Sequence, residues 1–585
     1  MKKSQGIGLV LEILIIVMVA ISLWYKILLP DFYYAAVTLL ITVFIIQIIA
    51  IRGSSDRFLI IQTAMIFLLI RSIYYFSTNY SIIPFGDANW DYAVTKTFIQ
   101  KDSVFVIGEP RHLTMYSSWP LLHTLILVLS SISGLDAFHL ALLLPSIFGL
   151  ISFGFVYLLV EKIRKSLKLN MHTTLLALLM YAVYPDLIFW QMQSVRQNIG
   201  ILLFTIMLYL LALSISNSAN RKYKGLTFFF AFSLVIGHNL TSLVTVVYLF
   251  LLFIFVMIGE FFEKRRNKTL FPVSFQTSLV TIAMAMSAFL FVWWDNVAKV
   301  IWPLVSSSIE RFSMLIRGIK EVEYTPRRAF YPDVLTPPGL SQLLLLRDIL
   351  ILLPAIFGLF FVIRKATKTP EKSFLLYSCL ALGAVVIIDN FIFRIGIYRI
   401  VGLSMPFIGL LSAISYSYFR NRLKRVWQVA ISGMVVIVLL SSSFIGLWGH
   451  DFAPFHLYDP SINPAEVGER DKDFMVIADF NKKVPIRNYH IAWVDDRNSL
   501  LFLFEPDDYS KISWLPTDIQ KLGSSNNELA YAFDDLNLYF YYASAFSPVH
   551  TLEDAKILRI GLRQRLQDRF NFVYNDGNHN IWITP

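Results

Sequence analysis

The sequence predicts an all-α polytopic membrane protein of about 13 transmembrane helices, followed by a C-terminal extracytoplasmic α/β domain. Of the 585 residues, 56% are hydrophobic and only 16% are charged, whereas a soluble domain has about 25% charged residues. Continuous apolar runs of about 20 residues, the length that crosses a bilayer, recur through the first three quarters of the chain. Membrane β-barrels are excluded because their strands alternate in short segments.

The apolar runs divide the chain into a membrane domain over residues 1–449 and a soluble domain over residues 450–585. The first run follows Lys2 and Lys3 and lacks a small-residue cleavage site, so we expect a retained helix. The predicted spans are 7–29, 33–51, 58–76, 137–160, 173–190, 198–215, 226–237, 240–258, 272–293, 346–363, 373–391, 397–418 and 427–448.

The charge distribution fixes the expected orientation. Residues 450–585 hold 13 basic and 20 acidic side chains, and the rest of the chain holds 38 basic and 20 acidic ones. The basic excess therefore belongs to the membrane half, where cytoplasmic loops collect Lys and Arg. Alternation of the spans puts the short basic loops on one side, which is then the cytoplasmic side, and the C-terminal domain outside. The acidic C-terminal domain argues against a nucleic-acid partner, which would need a basic soluble face. The single cysteine, Cys379, excludes a disulfide framework within the chain.

The segment 119–133 decides the topology of the later spans. It is short for a span, and if it crossed the membrane, the basic segment 161–168 would lie on the same side as Asp87. If it is interfacial or re-entrant, residues 161–168 join the other basic loops. We prefer the second alternative because it agrees with the positive-inside trend.

The C-terminal domain shows the pattern of a small mixed fold. Its last residues, NFVYNDGNHNIWIT, predict a β-hairpin whose turn carries Asn575, Asp576 and Gly577. The preceding stretch, KILRIGLRQRLQDRF, predicts an amphipathic helix. About 135 residues suffice for one α/β domain.

Carboxylates stand in the first long polar segment, 77–118. Asp87 comes first, Asp91 follows four residues later, and Glu109 lies beyond. A carboxylate just outside a span can act as a general base on an acceptor hydroxyl, or help to hold a divalent cation such as Mg²⁺ or Mn²⁺. The alternative is that Asp87 caps a helix beginning near Ala88. Asp91 and Glu109 are candidate substrate-binding residues, and a structural role is the alternative for Asp91.

A second polar group follows in the segment EPRHLTMYSSWPLLH. It contributes Arg111, His112, Tyr116 and His123 as candidate substrate-binding residues. Arg binds phosphate through two hydrogen bonds and His can donate to it. The alternative is an aromatic belt at head-group depth, with Tyr116 and Trp119 as anchors and His123 as a packing residue.

Further cations stand at the predicted outer ends of later spans. Arg196 precedes the span 198–215, and His238 interrupts a long apolar stretch, where polar groups are costly. The alternative for His238 is that it makes the hairpin turn. Arg394 and Arg399 enter a span from the outer side, against the positive-inside trend. Together with the acidic segment they suit an anionic lipid-phosphate ligand, although Arg near a span end can also extend to the surface.

The order of these features resembles the GT-C superfamily of integral-membrane glycosyltransferases. The similar elements are FGDANWDYA in the first large outer loop, the aromatic-Pro segment YSSWPLLH and the outer motif SVRQN, within a frame of many spans and an outward soluble domain. GHNLTS and VYNDGNHNIWI look like elements of poorly characterised archaeal and bacterial members. The resemblance covers most of residues 58–450.

The resemblance implies a function and one catalytic residue. In that superfamily a polyprenyl-phosphate-linked sugar is the donor and the first outer-loop Asp is catalytic, which assigns catalysis to Asp87 and implies inverting transfer of a hexose or pentose. No Asp-x-Asp or Asp-x-Glu stands near Arg196 and no WWDYG is present. Transfer of one sugar is therefore expected rather than of a whole oligosaccharide, and dependence on a metal is left open.

The expected activity is transfer of a sugar from a polyprenyl phosphate to a glycan, lipid or protein on the outer face of the plasma membrane. The partners are then the lipid-linked sugar, membrane lipids and the acceptor. A transporter or lipid flippase is the alternative, although the sequence shows no internal repeat and its ionisable residues gather at the outer ends of the predicted spans. A structural assembly protein is a third possibility.

Overall fold

A computed structural model describes most of the membrane domain and parts of the C-terminal region. The described residues are 10–18, 21, 29–50, 56–77, 86–103, 117–216, 221–264, 271–299, 302, 306, 313, 340–364, 369–389, 397–420, 422–446, 490–493, 512–513, 528–533, 564, 567, 571–575 and 579–583.

Helices account for nearly all of the described membrane domain. In chain order they are α1 (Leu29–Ala50), α2 (Asp56–Ser77), α3 (Gly86–Lys101), α4 (Leu121–Ser133), α5 (Ala137–Ser166), α6 (Met171–Val183), α7 (Pro185–Met192), α8 (Arg196–Ser216), α9 (Arg221–Gly237), α10 (Asn239–Lys264), α11 (Val273–Asn296), α12 (Leu340–Arg364), α13 (Pro370–Ile388), α14 (Ile397–Arg420) and α15 (Arg425–Gly446).

The chain is a multi-pass membrane protein. Within the described residues, eight helices are long and apolar enough to cross a membrane, namely α5, α8, α10, α11, α12, α13, α14 and α15. Shorter apolar helices lie in α1, α2, α4 and α6. The helices follow the predicted apolar runs closely, and the full count of 13 spans stays a prediction.

Two helices form the centre of the bundle. Within an apolar stretch of 18 residues in each helix, 89% is buried in α8 and 83% in α14, whereas only 28% is buried in α12. The short helix α6 packs against α14, α2 and α5, and its residues 173–175 and 177–183 are buried. α12 turns side chains such as Ile356 and Phe360 outward, as expected for a helix that faces lipid.

The predicted span 173–190 is wrong as a continuous helix. The chain forms α6, breaks at Tyr184 in an extended conformation (φ −72°, ψ 123°) and starts again as α7 at Pro185. Proline lacks the N–H that a helix interior needs and disfavours a helical residue before it. The break therefore follows from Pro185, and it lies in the interior of the protein because Tyr184 is buried.

Helix α4 is too short to cross a bilayer. Its 13 residues span about 20 Å, against a hydrocarbon core of about 30 Å. It ends at Gly134, which adopts the left-handed conformation (φ 71°) and donates its N–H to the carbonyl of Ser130. This length agrees with the expected interfacial or re-entrant segment.

Polar contacts join the ends of α5 and α13 that carry the predicted cytoplasmic charges. Arg164 donates two hydrogen bonds to the carboxylate of Glu161, at 2.8 and 2.7 Å. The Ser166 hydroxyl donates to the Glu371 carboxylate at 3.0 Å, and its oxygen lies 2.7 Å from Thr369 Oγ1. The basic segment 161–168 thus lies at the same end of the bundle as the start of α13, which is the arrangement expected if 119–133 does not cross.

The described C-terminal strands form one five-stranded sheet with the order β2-β1-β3-β5-β4. The strands are β1 (His490–Trp493), β2 (Ile512–Ser513), β3 (Glu528–Phe533), β4 (Asn571–Asn575) and β5 (His579–Ile583). β1 pairs in parallel with β2 and β3, and β5 pairs antiparallel with β3 and β4. The β4–β5 pairing confirms the predicted hairpin strands. Of the predicted amphipathic helix, only Gln564 and Gln567 are among the described residues, and both are helical.

Candidate anion-binding site at the end of the helix bundle

The structure brings together five of the predicted site residues, which are Asp91, His123, Arg196, His238 and Arg399. Asp87 lies in the first turn of α3, whose helical residues begin at Gly86 rather than Ala88, so it is inside the helix and not at the N-cap. The predicted residues that lie outside the described part of the chain are Glu109, Arg111, His112, Tyr116 and Arg394.

Asp91 is the buried carboxylate of this group, with 2% of its surface exposed. Its Oδ1 lies 2.8 Å from Arg196 Nε, and its Oδ2 accepts the backbone N–H of Arg196 at 3.2 Å. Two contacts to one residue hold the start of α8 against α3. Asp91 therefore holds Arg196 in place, and direct contact of Asp91 with a substrate stays a prediction.

His123, on α4, is fully buried beside Asp91. Its Nδ1 lies 3.0 Å from Thr95 Oγ1, which also bonds the Asp91 carbonyl at 3.1 Å. Its Nε2 lies 3.6 Å from Asp91 Oδ1, and the edge of Phe98 packs on the ring. An enclosed ring with these partners is placed to hold Asp91 rather than to touch a ligand. The packing alternative for His123 thus fits the structure better than direct substrate binding.

Arg196 lies at the first residue of α8, with 13% of its side chain exposed. Besides its contact with Asp91, its guanidinium lies over the ring of Trp119, at 5.5 Å from the centroid. Stacking on an aromatic face fixes the plane of a guanidinium and leaves its edge for hydrogen bonds. Trp119 is fully buried, so it orients Arg196 in addition to any anchoring role at the membrane surface.

Arg399 is held in the same manner from another helix. Its Cζ lies 4.5 Å from the ring centroid of Trp190, on α7. The break at Pro185 ends α6 and starts α7, which carries Trp190. The broken span therefore provides the aromatic ring on which Arg399 stacks. Neither Trp190 nor the break was part of the site predicted from the sequence.

His238 is the one residue between α9 and α10, and 6% of it is exposed. Its Nδ1 receives the backbone N–H of Thr241 at 3.1 Å and lies 2.8 Å from the Thr241 hydroxyl. A backbone N–H can only donate, so Nδ1 is an acceptor and the neutral ring carries its proton on Nε2. Among the described residues no hydrogen-bond partner of Nε2 is present, which leaves that N–H to donate to a ligand.

The two arginines act electrostatically on this histidine. Burial lowers the pKa of His238 well below its ordinary value of 6.5, and the positive charges of Arg196 and then Arg399 lower it further. Both arginines therefore lie near enough to His238 to act on it electrostatically. His238 is therefore a neutral N–H donor beside two cations, a combination suited to an anion.

A glycine on α8 permits this convergence. A Cβ on Gly200 would lie 2.8 Å from Thr241 Oγ1 and 3.1 Å from His238 Cβ. Gly200 is one turn after Arg196, so the absence of a side chain lets the α9–α10 turn approach the arginine closely. Gly200 stands in the sequence segment QNIG, but the sequence alone does not show that Thr241 and His238 pack against it.

The donor set can be assessed for a metal ion. Within the described residues no group of three or more His, Cys, Asp or Glu could hold one. The two arginines and the neutral histidine are hydrogen-bond donors, so they match phosphate oxygens in charge and geometry.

Two solved structures similar to this chain are those of ArnT from Cupriavidus metallidurans, one bound to undecaprenyl phosphate and one in the apo state. Their TM-scores are 0.48 and 0.44, with 11% and 12% sequence identity. The matches cover 91% and 90% of this chain and 98% and 97% of the ArnT chains. No protein-family profile and no curated protein matches. Likeness at this level does not determine function, which has to come from the site itself.

Proposed function

We propose that this protein is a GT-C-type glycosyltransferase that transfers one sugar from a polyprenyl-phosphate donor to a glycan, lipid or protein on the outer face of the plasma membrane. The observation that supports the proposal best is the convergence of Arg196, His238 and Arg399 beside α3. These residues come from three separate parts of the chain. Their donors suit the phosphate of a lipid-linked sugar, which lies at the membrane surface.

The acceptor is activated from α3. Asp91 and Asp87 are four residues apart, so position 87 shares a helix face with Asp91, about 6 Å further toward the helix N-terminus. Asp91 is occupied with Arg196, so it supports the phosphate site. Asp87, which lies nearer the N-terminus of α3 than Asp91, is the proposed general base.

The reaction is a single displacement at the anomeric carbon of the donor sugar. Asp87 takes the proton of the acceptor hydroxyl, whose oxygen attacks the anomeric carbon and forms the new glycosidic bond. The bond from that carbon to the phosphate oxygen breaks, and the electron pair leaves with the polyprenyl phosphate. Arg196, Arg399 and His238 Nε2–H stabilise the charge that develops on the leaving phosphate. Attack opposite the leaving group inverts the configuration of a hexose or pentose.

The proposal also includes the membrane topology of the chain. We place 13 spans in the membrane, with the basic loops in the cytoplasm and an α/β domain over residues 450–585 outside. The site then lies at the outer face of the plasma membrane, where the donor phosphate and an extracytoplasmic acceptor can meet. A divalent cation such as Mg²⁺ or Mn²⁺ at Asp87 is a separate arm of the test, in which transfer is measured after EDTA treatment and after each ion is restored.

The deciding experiment replaces Asp87 by asparagine and measures single-turnover transfer from a defined polyprenyl-phosphate sugar. Loss of the base should reduce transfer by at least about a hundredfold, with normal expression and folding. If Asp87 only stabilises the first turn of α3 through the helix dipole, turnover stays near normal, because losing that interaction costs about 0.3–1 kcal/mol of stability and leaves the reaction intact. Asp102→Asn, at the opposite end of α3, is the matched control and should transfer sugar at the wild-type rate.

The phosphate site has its own test. Arg399→Ala should weaken the binding of undecaprenyl phosphate more than Arg399→Lys, because lysine keeps the charge but loses the stacked, bidentate geometry. Arg364→Ala is the matched control, since the Arg364 guanidinium also lies over an aromatic ring, 4.2 Å from the Phe360 centroid, at the other end of the bundle. Equal affinity in wild type and both Arg399 variants would remove Arg399 from the site. Binding and translocation of the lipid without sugar transfer would favour a flippase.

A further inference from the structure

Arg71 is a fully buried arginine in the interior of the membrane domain, with 1% of its surface exposed. It lies on α2, and its Cζ is 3.4 Å from the ring centroid of Phe67. No carboxylate of the described residues forms an ion pair with it. A buried charge without compensation is costly, so its remaining contacts have to account for its presence.

The first compensation comes from the broken end of α6. Arg71 Nη1 donates to the carbonyl of Ala182 at 3.0 Å, in the last turn of α6. The last carbonyls of a helix have no partner within the helix and carry partial negative charge, which favours a cation there. The Ser443 hydroxyl lies 3.3 Å from the next carbonyl, that of Val183, and 2.7 Å from the Leu439 carbonyl, so its one proton is shared between the two acceptors. Arg71 and Ser443 thus satisfy the helix end that Pro185 creates.

The second contact crosses the break to α7. Arg71 Nε donates to Gln191 Oε1 at 2.8 Å, and Gln191 Nε2 donates to the Tyr181 hydroxyl at 3.1 Å. Tyr181 belongs to α6, so Gln191 is held from α2 and from α6 at once. The guanidinium of Arg71 therefore binds both sides of the α6–α7 break, whereas Ser443 binds only the α6 side.

We propose that Arg71 is a positioning residue, which fixes α7 against α6 so that Trp190 lies beneath Arg399. Trp190 and Gln191 are consecutive, so they face directions about 100° apart on α7. With Gln191 held by Arg71, Trp190 is turned toward α14. The effect on the ligand rests on the proposed function, in which Arg399 binds the donor phosphate, but the effect on Trp190 does not.

The position of Trp190 can be measured without any ligand. In protein labelled with 5-fluorotryptophan, the ¹⁹F resonance of Trp190 is the one lost in Trp190→Phe. Arg71→Met and Gln191→Leu should both shift or broaden that resonance, because each removes the link across the break. Ser443→Ala, which removes a contact to the same helix end without touching α7, should leave it unchanged. Gln191→Leu keeps the contact of Arg71 with Ala182 and provides the test if Arg71→Met does not fold.

A second measurement connects the position to binding. Both variants should bind undecaprenyl phosphate roughly tenfold more weakly than wild type, the size expected from losing one buried hydrogen-bond partner. The double variant should be no weaker than the weaker single one, since both changes break one link. An unchanged Trp190 resonance in the folded variants would overturn the positioning role. A shifted resonance in a protein whose wild type does not bind the lipid would keep that role and refute the proposed function.

Discussion

The guanidinium of Arg399 lies over the indole ring of Trp190, with Cζ 4.5 Å from the ring centroid. This contact joins α14, one of the two most buried of the eight described helices long enough to cross a membrane, to α7, the short helix that follows the break at Pro185. It holds one cation of the candidate anion site in a fixed plane, and it makes the site depend on an aromatic side chain that carries no charge.

Replacing Trp190 by leucine should therefore weaken undecaprenyl phosphate binding about threefold to tenfold, since a partly buried cation–π contact contributes about 1 kcal/mol. Trp190→Phe should lose less, because it keeps an aromatic face. The comparable change under the other stacked arginine, Phe360→Leu, should leave binding unaltered. Affinities measured in detergent for the three variants test this, and a wild-type value for Trp190→Leu would contradict it.

The pair of Asp91 and Arg196 should respond unequally to single and double changes. Asp91→Asn leaves the largely buried Arg196 without its anion and should lower the free energy of unfolding by about 3 kcal/mol. The double change Asp91→Asn with Arg196→Gln should recover much of that loss, because no unpaired charge remains.

Thermal unfolding in detergent measures both forms. The control is Asp136→Asn, whose side chain is 65% exposed and 3.7 Å from His139; it should unfold like wild type because exposed pairs contribute little. Strictly additive losses at Asp91 and Arg196 would show that the two do not interact.

Gly200→Ala should separate α8 from the α9–α10 turn. The new methyl group would meet Thr241 Oγ1 at 2.8 Å, and overpacking of this kind costs about 1–3 kcal/mol. Because the same movement displaces His238 from Arg196, lipid binding should weaken together with stability. Gly383→Ala, with no atom within 4 Å of the added carbon, is the matched control and should be neutral or slightly stabilising. Unchanged stability and affinity in Gly200→Ala would show that the close approach is unnecessary.

The lowered pKa of His238 predicts a specific acid sensitivity. The unfolded chain binds a proton at this histidine below about pH 6.5, whereas the native protein does not, so its contribution to stability is lost as the pH falls below that value. Between pH 7 and pH 5 the melting temperature of wild type should fall more than that of His238→Gln. Parallel curves for the two proteins would mean that His238 titrates alike in both states.

The basic charges at the joined ends of α5 and α13 predict that this end of the bundle faces the cytoplasm. In a Cys379→Ser background, a cysteine at position 165 should react with a membrane-impermeant maleimide only after the cells are opened. A cysteine at position 102, at the end of α3, should react in intact cells. Labelling of position 165 from outside would reverse the orientation.

The sequence predicted the helices better than the site. Apolar runs predicted most helix positions because length and hydropathy are local properties. The charge pattern grouped 161–168 with the other basic loops, among them 364–368, which precedes α13. Arg196, His238 and Arg399 were also predicted from the sequence as candidate substrate-binding residues. Their convergence could not be derived, because it depends on which helices are neighbours.

The residues that sequence reasoning missed had weak local signals. Trp190 and Arg71 stand within or beside apolar runs, and each acquires its role from a partner far along the chain. Pro185 was a usable signal, since proline within a predicted helix indicates a break. The aromatic surfaces under Arg196 and Arg399 required the folded structure.

The bond between Ser166 and Thr369 has a consequence for biosynthesis. The two residues are 203 positions apart, which corresponds to about 10–40 s of translation. During that interval α5 is already made while its partner helix is still to come, so this end of the bundle stays open and closes late. Assembly factors and proteases of the membrane would meet the nascent chain before the contact between Ser166 and Thr369 has formed.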